Sequence, residues 1–378
     1  MHKSVLIKLA ETSTRYVEEK NLRYYYEADG FKFNNKHLAA WYEKEYNVWA
    51  PLVCQQLDNY RDVLNDRTLD MAHDYNHDYL KLLRNKYDHV QLLLSGGYDS
   101  TTVFLEAVEK DIWIDEVISI CTGSLSALQN EEIVYNVIPL ALQHKDSFGK
   151  YNMLTTSYEM LAELYENRYC FFTQTTAKKM PQWFGFTFTA LYHRQHPENS
   201  CYIRSSDKPQ LLHYRGRWYT VGIDHNIANE LDIPNYLYFW MEPENIKSLI
   251  KDSRCYRNYL VNNYNIKNNE TKFYKVYDEG NVNFHINRRE LLYPEKQLKT
   301  TGIFDEKAQR VVNDVTQQDQ CAMMNNYFRC LETFYTVFPE GRKDNLINYN
   351  QNGKFAWLID IDSLELFTPE DLIPNGLI

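Results

Sequence analysis

The segment His89-Val-Gln-Leu-Leu-Leu-Ser-Gly-Gly-Tyr-Asp-Ser-Thr-Thr-Val-Phe-Leu-Glu-Ala-Val-Glu-Lys110 carries the strongest structural signals of this chain. The apolar run from Val90 to Leu94, interrupted only by Gln91, predicts a buried strand. Two adjacent glycines then end the run. After the two glycines, four apolar residues recur at helical spacing: Val103, Phe104, Ala107 and Val108. The segment therefore predicts a strand, a tight turn and a helix in direct succession.

A strand, a glycine turn and a helix N-terminus together predict an anion-binding site between Ser95 and Ser100. The first N–H groups of a helix have no partner within the helix, and the helix dipole favours negative charge there. Glycine has no Cβ, so a ligand can approach the backbone closely. Asp99 adds a carboxylate, which predicts either a metal ligand or the cap of the helix. The pattern is typical of a loop that binds phosphate groups.

The hexapeptide Ser95-Gly-Gly-Tyr-Asp-Ser100 matches the motif SGGxDS, and on this motif the chain resembles the PP-loop ATP pyrophosphatases. That superfamily includes the synthetase domain of asparagine synthetases and the GMP, NAD and β-lactam synthetases. Its members cleave ATP between the α and β phosphates, activate a carboxyl or carbonyl oxygen as an adenylate and release pyrophosphate. The resemblance implies a doubly wound parallel α/β sheet of the adenine nucleotide alpha hydrolase type, with ATP and Mg²⁺ bound at the loop.

The same resemblance implies roles for the residues of the loop. The backbone would wrap the terminal phosphates of ATP, and Asp99 would bind Mg²⁺. The ends of two neighbouring strands would contact adenine, where Leu94 and Cys121 are the candidates. The residues implied for nucleotide binding are Leu94, Ser95, Gly96, Gly97, Tyr98, Asp99, Ser100 and Cys121.

A second carboxylate for the metal has to come from elsewhere, because the Gly-Ala-Asp-Glu-like loop of the asparagine and β-lactam synthetases does not occur in this sequence. The polar stretch Ser205-Ser-Asp-Lys-Pro209 follows a predicted strand and offers Asp207 to the metal and Lys208 to a phosphate. An exposed turn is an equal interpretation of this stretch. Asp224 is the alternative metal ligand. We expect Asp99, Asp207 and Lys208 to be the catalytic residues.

The pattern of elements divides the chain into three regions. Residues 1–87 predict a small α+β region. Residues 88–230 alternate strands with helices, which predicts the nucleotide-binding domain. Residues 231–378 are rich in aromatic side chains and predict a mainly helical region with hairpins, which we expect to form the substrate side.

Within these regions, local patterns predict individual strands and turns. Asp115–Cys121 and Tyr151–Thr155 predict two further strands, which long connections should place parallel to the first. Hairpins are predicted to turn at Asp29-Gly30 and at Arg215-Gly216, and another is predicted within Lys354–Phe367.

Composition restricts the functional class. The chain has 378 residues and a formal net charge of −10, which argues against a general affinity for nucleic acid. Its apolar runs are too short for a membrane span. Seven scattered cysteines without a CxxC pair suit the reducing cytoplasm and argue against a structural zinc site. We therefore expect a cytoplasmic protein that acts on a small molecule, and a homo-oligomer is compatible with the sequence.

Other charged residues are weaker candidates. Five basic side chains could stabilise the charge of departing pyrophosphate, although a surface role is favoured for each: Lys178, Lys179, Arg204, Arg215 and Arg217. Two histidine pairs have a spacing that could serve a metal, but no third ligand is apparent and we interpret them as surface or core residues: His73 with His77, and His193 with His196.

The resulting hypothesis is an AMP- and pyrophosphate-forming synthetase that adenylates a carboxyl or carbonyl oxygen before a nitrogen nucleophile attacks. His2 stands where the glutaminase of asparagine synthetases has its nucleophilic cysteine, so we expect no ammonia from glutamine by that route. One alternative is a nucleobase- or tRNA-modifying enzyme on the same fold. The other is an ATP-binding protein that has lost catalysis.

Overall fold

The computed structural model describes residues 3–34, 36–122, 132–156, 192–193, 195–205, 210–223, 235–263, 272–274 and 355–372. The predicted ligands Asp207, Lys208 and Asp224 lie outside these ranges. Within them the strands form three sheets: a three-stranded antiparallel sheet, a five-stranded parallel sheet and a five-stranded antiparallel sheet.

The elements follow one another along the chain with these bounds. The strands are β1 (Tyr24–Ala28), β2 (Phe31–Phe33), β3 (Leu52–Cys54), β4 (His89–Leu93), β5 (Ile114–Thr122), β6 (Phe148–Thr156), β7 (Ser200–Arg204), β8 (Leu211–Tyr214), β9 (Arg217–Ile223), β10 (Tyr236–Tyr238), β11 (Lys272–Tyr274), β12 (Phe355–Asp360) and β13 (Leu366–Phe367). The helices are α1 (Lys3–Lys20), α2 (Lys36–Tyr46), α3 (Leu57–Leu64), α4 (Tyr75–Lys86), α5 (Tyr98–Glu109), α6 (Ile138–Gln143), α7 (Ile246–Asn263) and α8 (Pro369–Leu372). A π-helical turn at Glu132–Val137 precedes α6, and a 3-10 turn at Pro243–Asn245 precedes α7.

The parallel sheet has the strand order β10-β7-β4-β5-β6. All four pairings within it are parallel, and the order places β4 in the middle. The prediction of parallel strands at Asp115–Cys121 and Tyr151–Thr155 is confirmed by β5 and β6. This mixed α/β arrangement is compatible with a doubly wound α/β fold.

The two faces of the parallel sheet differ in character. One face packs on helices, because Val103 and Phe104 of α5 join Leu92 and Val117 in the main buried core. Side chains alternate between the faces along a strand, so residues next to these in sequence point the other way. That opposite face carries a smaller apolar cluster of Leu93, Ile118, Leu154 and Tyr202, together with polar residues described below.

The predicted hairpins form as expected. β1 and β2 pair antiparallel around Asp29 and Gly30, and β8 and β9 pair around Arg215 and Gly216. All four turn residues have positive φ values of 50° to 78°, which is the requirement of a tight two-residue turn. β12 and β13 pair antiparallel within Lys354–Phe367, confirming the third hairpin.

A buried ion pair connects the N-terminal region with the segment after β10. The Nη1 atom of Arg23 lies 2.6 Å from Oε2 of Glu242, and Nη2 of Arg23 donates to the Tyr60 hydroxyl at 3.2 Å. Oε1 of the same carboxylate accepts from the backbone N–H of Tyr238. Residues from all three predicted regions contribute to the main core, and the boundaries at 87 and 230 stay predictions.

Candidate functional site

The loop Ser95–Ser100 lies where the chain changes direction across the parallel sheet. From β4 the chain continues to β5 and β6 on one side, and it later returns to β7 on the other side of β4. The strand order therefore reverses at β4, and the parallel strands β4 and β7 end at the same edge of the sheet. In open parallel sheets a crevice opens at such a point, outside the carboxyl ends of the strands, and ligands bind in it.

The path of the loop depends on Gly96. The strand ladder continues one residue beyond β4, because the N–H of Leu94 donates to the carbonyl of Ile118 at 2.7 Å. Gly96 then has φ = +85°, a left-handed conformation that residues with a Cβ rarely adopt. Gly97 returns to extended backbone, and α5 begins at the next residue. The first glycine of the pair thus makes the bend that turns the strand into the helix.

Two serine hydroxyls hold the bend in place. The Ser95 N–H donates to Oγ of Ser100 at 3.0 Å, and the two Oγ atoms lie 3.0 Å apart. Oγ of Ser100 donates to the carbonyl of Gly97 at 3.2 Å, and the N–H of Gly97 reaches Oγ of Ser95 at 3.4 Å. The bonds form a closed circuit within the loop. These hydroxyls therefore support the loop, and they occupy the N–H groups of Ser95 and Gly97.

The N-terminus of α5 is the second component of the site. Its N-cap is Gly97, and no side-chain hydrogen bond caps the helix. The N–H groups of the first turn therefore lack the partner that a serine or aspartate cap would supply. Asp99 lies in this first turn and is partly exposed. The interpretation of Asp99 as the N-cap is wrong, because the helix starts at Tyr98, two residues earlier than that role requires.

The predicted adenine contacts are Leu94, which directly follows β4, and Cys121, which lies on β5. The side chain of Leu94 is fully buried in the main core. Its N–H and carbonyl are both bonded, the carbonyl to the Ser119 hydroxyl at 2.6 Å. Cys121 pairs with Thr155 of β6, near the carboxyl end of β5. The structure thus places both residues toward the carboxyl edge of the parallel sheet, from which the loop also leaves, and their contact with adenine stays a prediction.

The neighbouring strand β7 ends at the same edge of the sheet as β4. Ile203 pairs with Leu92 of β4, so Arg204 and Ser205 follow at the same edge as the loop. Arg204 is buried, and its guanidinium carbon lies 5.3 Å from the centre of the Tyr238 ring. Asp207 and Lys208 come directly after this strand, in the part of the chain that the structure does not describe. Their metal and phosphate roles stay predictions.

The remaining basic candidates lie elsewhere. Arg215 and Arg217 belong to the hairpin of the antiparallel sheet, where Arg217 lies 3.5 Å from Asp360. Lys178 and Lys179 are outside the described ranges. Arg204 is the one of the described basic candidates that the fold brings to the carboxyl edge of the parallel sheet.

A second polar cluster lies near the opposite edge of the sheet. It contains His89, the first residue of β4, Glu116 of β5, and His196 from the segment before β7. Nε2 of His196 lies 3.2 Å and Nε2 of His89 lies 3.6 Å from Oε2 of Glu116. His196 thus has the acidic neighbour that its sequence context did not reveal, and its interpretation as a surface or core residue stays a prediction.

The carboxylate of Glu116 is the centre of this cluster. Its side chain is 0 % exposed. Burial raises the pKa of this carboxyl, but hydrogen bonds outweigh burial and lower the pKa to about 2. The donors are the side chains of Gln91, Tyr192, Lys150 and Asn152. Glu116 is thus a carboxylate that the fold keeps charged inside the protein.

The other histidines of the two predicted pairs have different surroundings. His193 is buried, and its Nδ1 bonds Oε1 of Gln91 at 2.5 Å. His73 lies before α4 and pairs with Asp78 at 2.6 Å, so His73 and His77 do not share one face of the helix.

No protein-family model, no curated protein and no solved structure matches this chain. No helix in the described ranges is both long enough and apolar enough to cross a bilayer.

Proposed function

We propose that this chain is an ATP-dependent synthetase that releases AMP and pyrophosphate. The observation that supports the proposal is the diglycine bend at the carboxyl end of the central parallel strand. The bend combines a left-handed Gly96 with a helix whose N-cap, Gly97, has no side chain. Such a bend directs the N-terminus of a helix, the positive end of its dipole, toward a polyphosphate.

The proposed reaction assigns a task to each part of the loop. Backbone groups of Ser95–Ser100 hold the β and γ phosphates, and Asp99 with Asp207 binds the Mg²⁺ that neutralises phosphate charge. A carboxyl or carbonyl oxygen of a small substrate attacks the α-phosphorus, and pyrophosphate departs with the bonding electron pair. A nitrogen nucleophile then displaces AMP. The protein contributes positioning and charge stabilisation, here from Lys208 and Arg204.

The test is a pyrophosphate-release assay with the purified chain, Mg-ATP and a panel of carboxylic acids, amines and nucleobases. We expect release of pyrophosphate and AMP with a member of the panel, and loss of about 100-fold or more in Asp99→Asn. Asp62→Asn, on the exposed side of α3, is the matched control and should leave turnover unchanged.

Two outcomes would overturn the proposal. Unchanged turnover in Asp99→Asn would show that the Asp99 carboxylate has no role in the reaction. Tight ATP binding without turnover across the panel would instead indicate a catalytically silent ATP-binding protein.

A further inference from the structure

The cluster of His89, Glu116 and His196 has the dimensions of a metal site. One ligand atom from each residue lies within 4.8 Å of the others. The two distances to the carboxylate oxygen are 3.2 Å and 3.6 Å. Bonds of about 2.0–2.1 Å at the tetrahedral angle place neighbouring ligand atoms about 3.3 Å apart. The observed separations lie on either side of that value.

Hydrogen bonds orient the His196 ring toward the carboxylate. Nδ1 of His196 lies 3.1 Å from the backbone carbonyl of Tyr192. A carbonyl only accepts, so Nδ1 carries a hydrogen, and Nε2 is the ring nitrogen left to bind a metal ion. A bond from the second ring nitrogen to a carbonyl is the usual support of a metal-bound histidine. This Nε2 atom lies 3.2 Å from Oε2 of Glu116, a separation that a shared metal ion would also produce.

His89 supplies the third donor. Its Nε2 atom is buried without a hydrogen-bond partner, although it lies only 3.6 Å from Oε2 of Glu116. An unpaired buried ring nitrogen is unfavourable, and a bound cation would satisfy it. The His89 and His196 rings stack with centres 5.3 Å apart and planes 16° from parallel. The Nε2 atoms of both imidazoles therefore lie near the same carboxylate oxygen, Oε2 of Glu116.

The two oxygens of Glu116 have separate environments. Oε1 accepts from Asn152 at 3.1 Å and from Tyr192 at 2.8 Å, and it pairs with Lys150 at 3.0 Å. Oε2 accepts from the Gln91 amide at 2.7 Å. Oε1 is thus fully supported by the surrounding protein. Oε2 retains a lone-pair position on the side of the two histidines.

Two nearby groups compete with a cation. Lys150 already balances the charge of Glu116, but its side chain is 56 % exposed and can turn into solvent. The Gln91 amide lies 3.2 Å from Nε2 of His196. The Gln91 amide also donates to Oε2 of Glu116, at the shorter distance of 2.7 Å. A metal ion would replace the contact between Gln91 and His196, and the hydrogen bond between Gln91 and Glu116 would remain.

We propose that Nε2 of His89, Nε2 of His196 and Oε2 of Glu116 bind a divalent first-row transition ion, with Zn²⁺ the best match. Two imidazoles and one carboxylate suit such ions better than Mg²⁺, which prefers oxygen ligands. Three protein ligands leave a fourth position for water. The scattered cysteines argue against a zinc site with cysteine ligands. The site proposed here has no cysteine ligand, so that observation does not apply to it. It lies near the amino ends of β4 and β5 and is separate from the Asp99 loop.

The experiment measures metal binding by the full-length chain without nucleotide. Protein freed of metal with a chelator is titrated with Zn²⁺ and, separately, with Co²⁺. We expect one equivalent per chain, a four-coordinate Co²⁺ absorption spectrum and a higher melting temperature with Zn²⁺. His89→Gln and His196→Gln should each lose more affinity than the roughly 10–100-fold that loss of a supporting hydrogen bond causes. His73→Gln is the control, because His73 lies outside the cluster, and it should bind normally.

Absence of stoichiometric Zn²⁺ binding by the wild-type chain would overturn the proposal without reference to any variant. Equal affinity of the wild type and both cluster variants, with folding checked by circular dichroism, would also overturn it and assign the metal to other residues. Neither result bears on pyrophosphate release, so this proposal and the synthetase proposal fail separately.

Discussion

Replacing Ser100 by alanine tests whether the serine circuit holds the loop in its bent conformation. The Ser100 side chain is 1 % exposed, and its hydroxyl has three partners, which are Ser95 N, Ser95 Oγ and the Gly97 carbonyl. Its removal leaves the Ser95 N–H without its acceptor. A net hydrogen bond contributes about 0.5–1.5 kcal/mol, and an unsatisfied buried donor costs about 1–3 kcal/mol. Because Ser95 is partly exposed, water can replace some of the loss. We expect a loop about 2 kcal/mol less stable.

Hydrogen–deuterium exchange measures this local stability directly. A loss of about 2 kcal/mol raises the population of the open loop about 30-fold, so amides around Gly97 should exchange about 30-fold faster. ATP should bind more weakly by up to a similar factor, because binding must then order the loop. Thr101→Ala removes a hydroxyl one residue later and should leave exchange of the loop unchanged. Wild-type exchange in Ser100→Ala would refute the supporting role of the circuit.

Three further predictions concern stability, each measured by urea unfolding. A Cβ at Gly222 would lie 2.3 Å from the fully buried ring of Trp357, so Gly222→Ala should destabilise by about 3 kcal/mol, and wild-type stability would contradict this packing. Glu242→Ala leaves the Arg23 guanidinium without its ion-pair partner and should cost about 3–5 kcal/mol; a loss below about 1 kcal/mol would mean that the pair is solvated. Because folding lowers the pKa of Glu116 from 4.5 to about 2, its charge stabilises the fold above the unfolded-state value, and that contribution falls with pH. The stability advantage of wild type over Glu116→Gln should shrink by about 2 kcal/mol between about pH 5 and about pH 3, and a pH-independent difference would contradict the shift.

Local signals predicted the elements around the loop well. The apolar run that ends at Leu94 and the glycines after it are sufficient to specify a strand and a bend, because both properties depend on neighbouring residues. Asp29-Gly30 and Arg215-Gly216 predicted their turns for the same reason, since tight hairpins need positive φ. The exact start of α5 was not predicted, because Gly97 rather than Asp99 is its N-cap.

The second cluster was not predicted because its members are distant in the sequence. Gln91 and Glu116 interrupt two apolar strands, and each alone resembles a tolerated polar residue. Their contact depends on the register of β4 and β5, which pairs Gln91 with Glu116. A shift of one residue would turn one of them to the other face of the sheet. The two polar residues inside buried strands were the only feature of the sequence that could have indicated the cluster. Nothing in the sequence around His196 indicates that it lies near Glu116.

By itself the sequence determined the strand, the diglycine bend and the helix, because backbone conformation and apolar periodicity act over a few residues. It also supplied the motif from which ATP is proposed. Only the tertiary structure decided that β4 is the middle strand, with β7 beside it, and that two histidines meet one buried carboxylate. Those facts depend on which strands become neighbours after long connections, and the free energy of that choice comes from burial of the whole sheet.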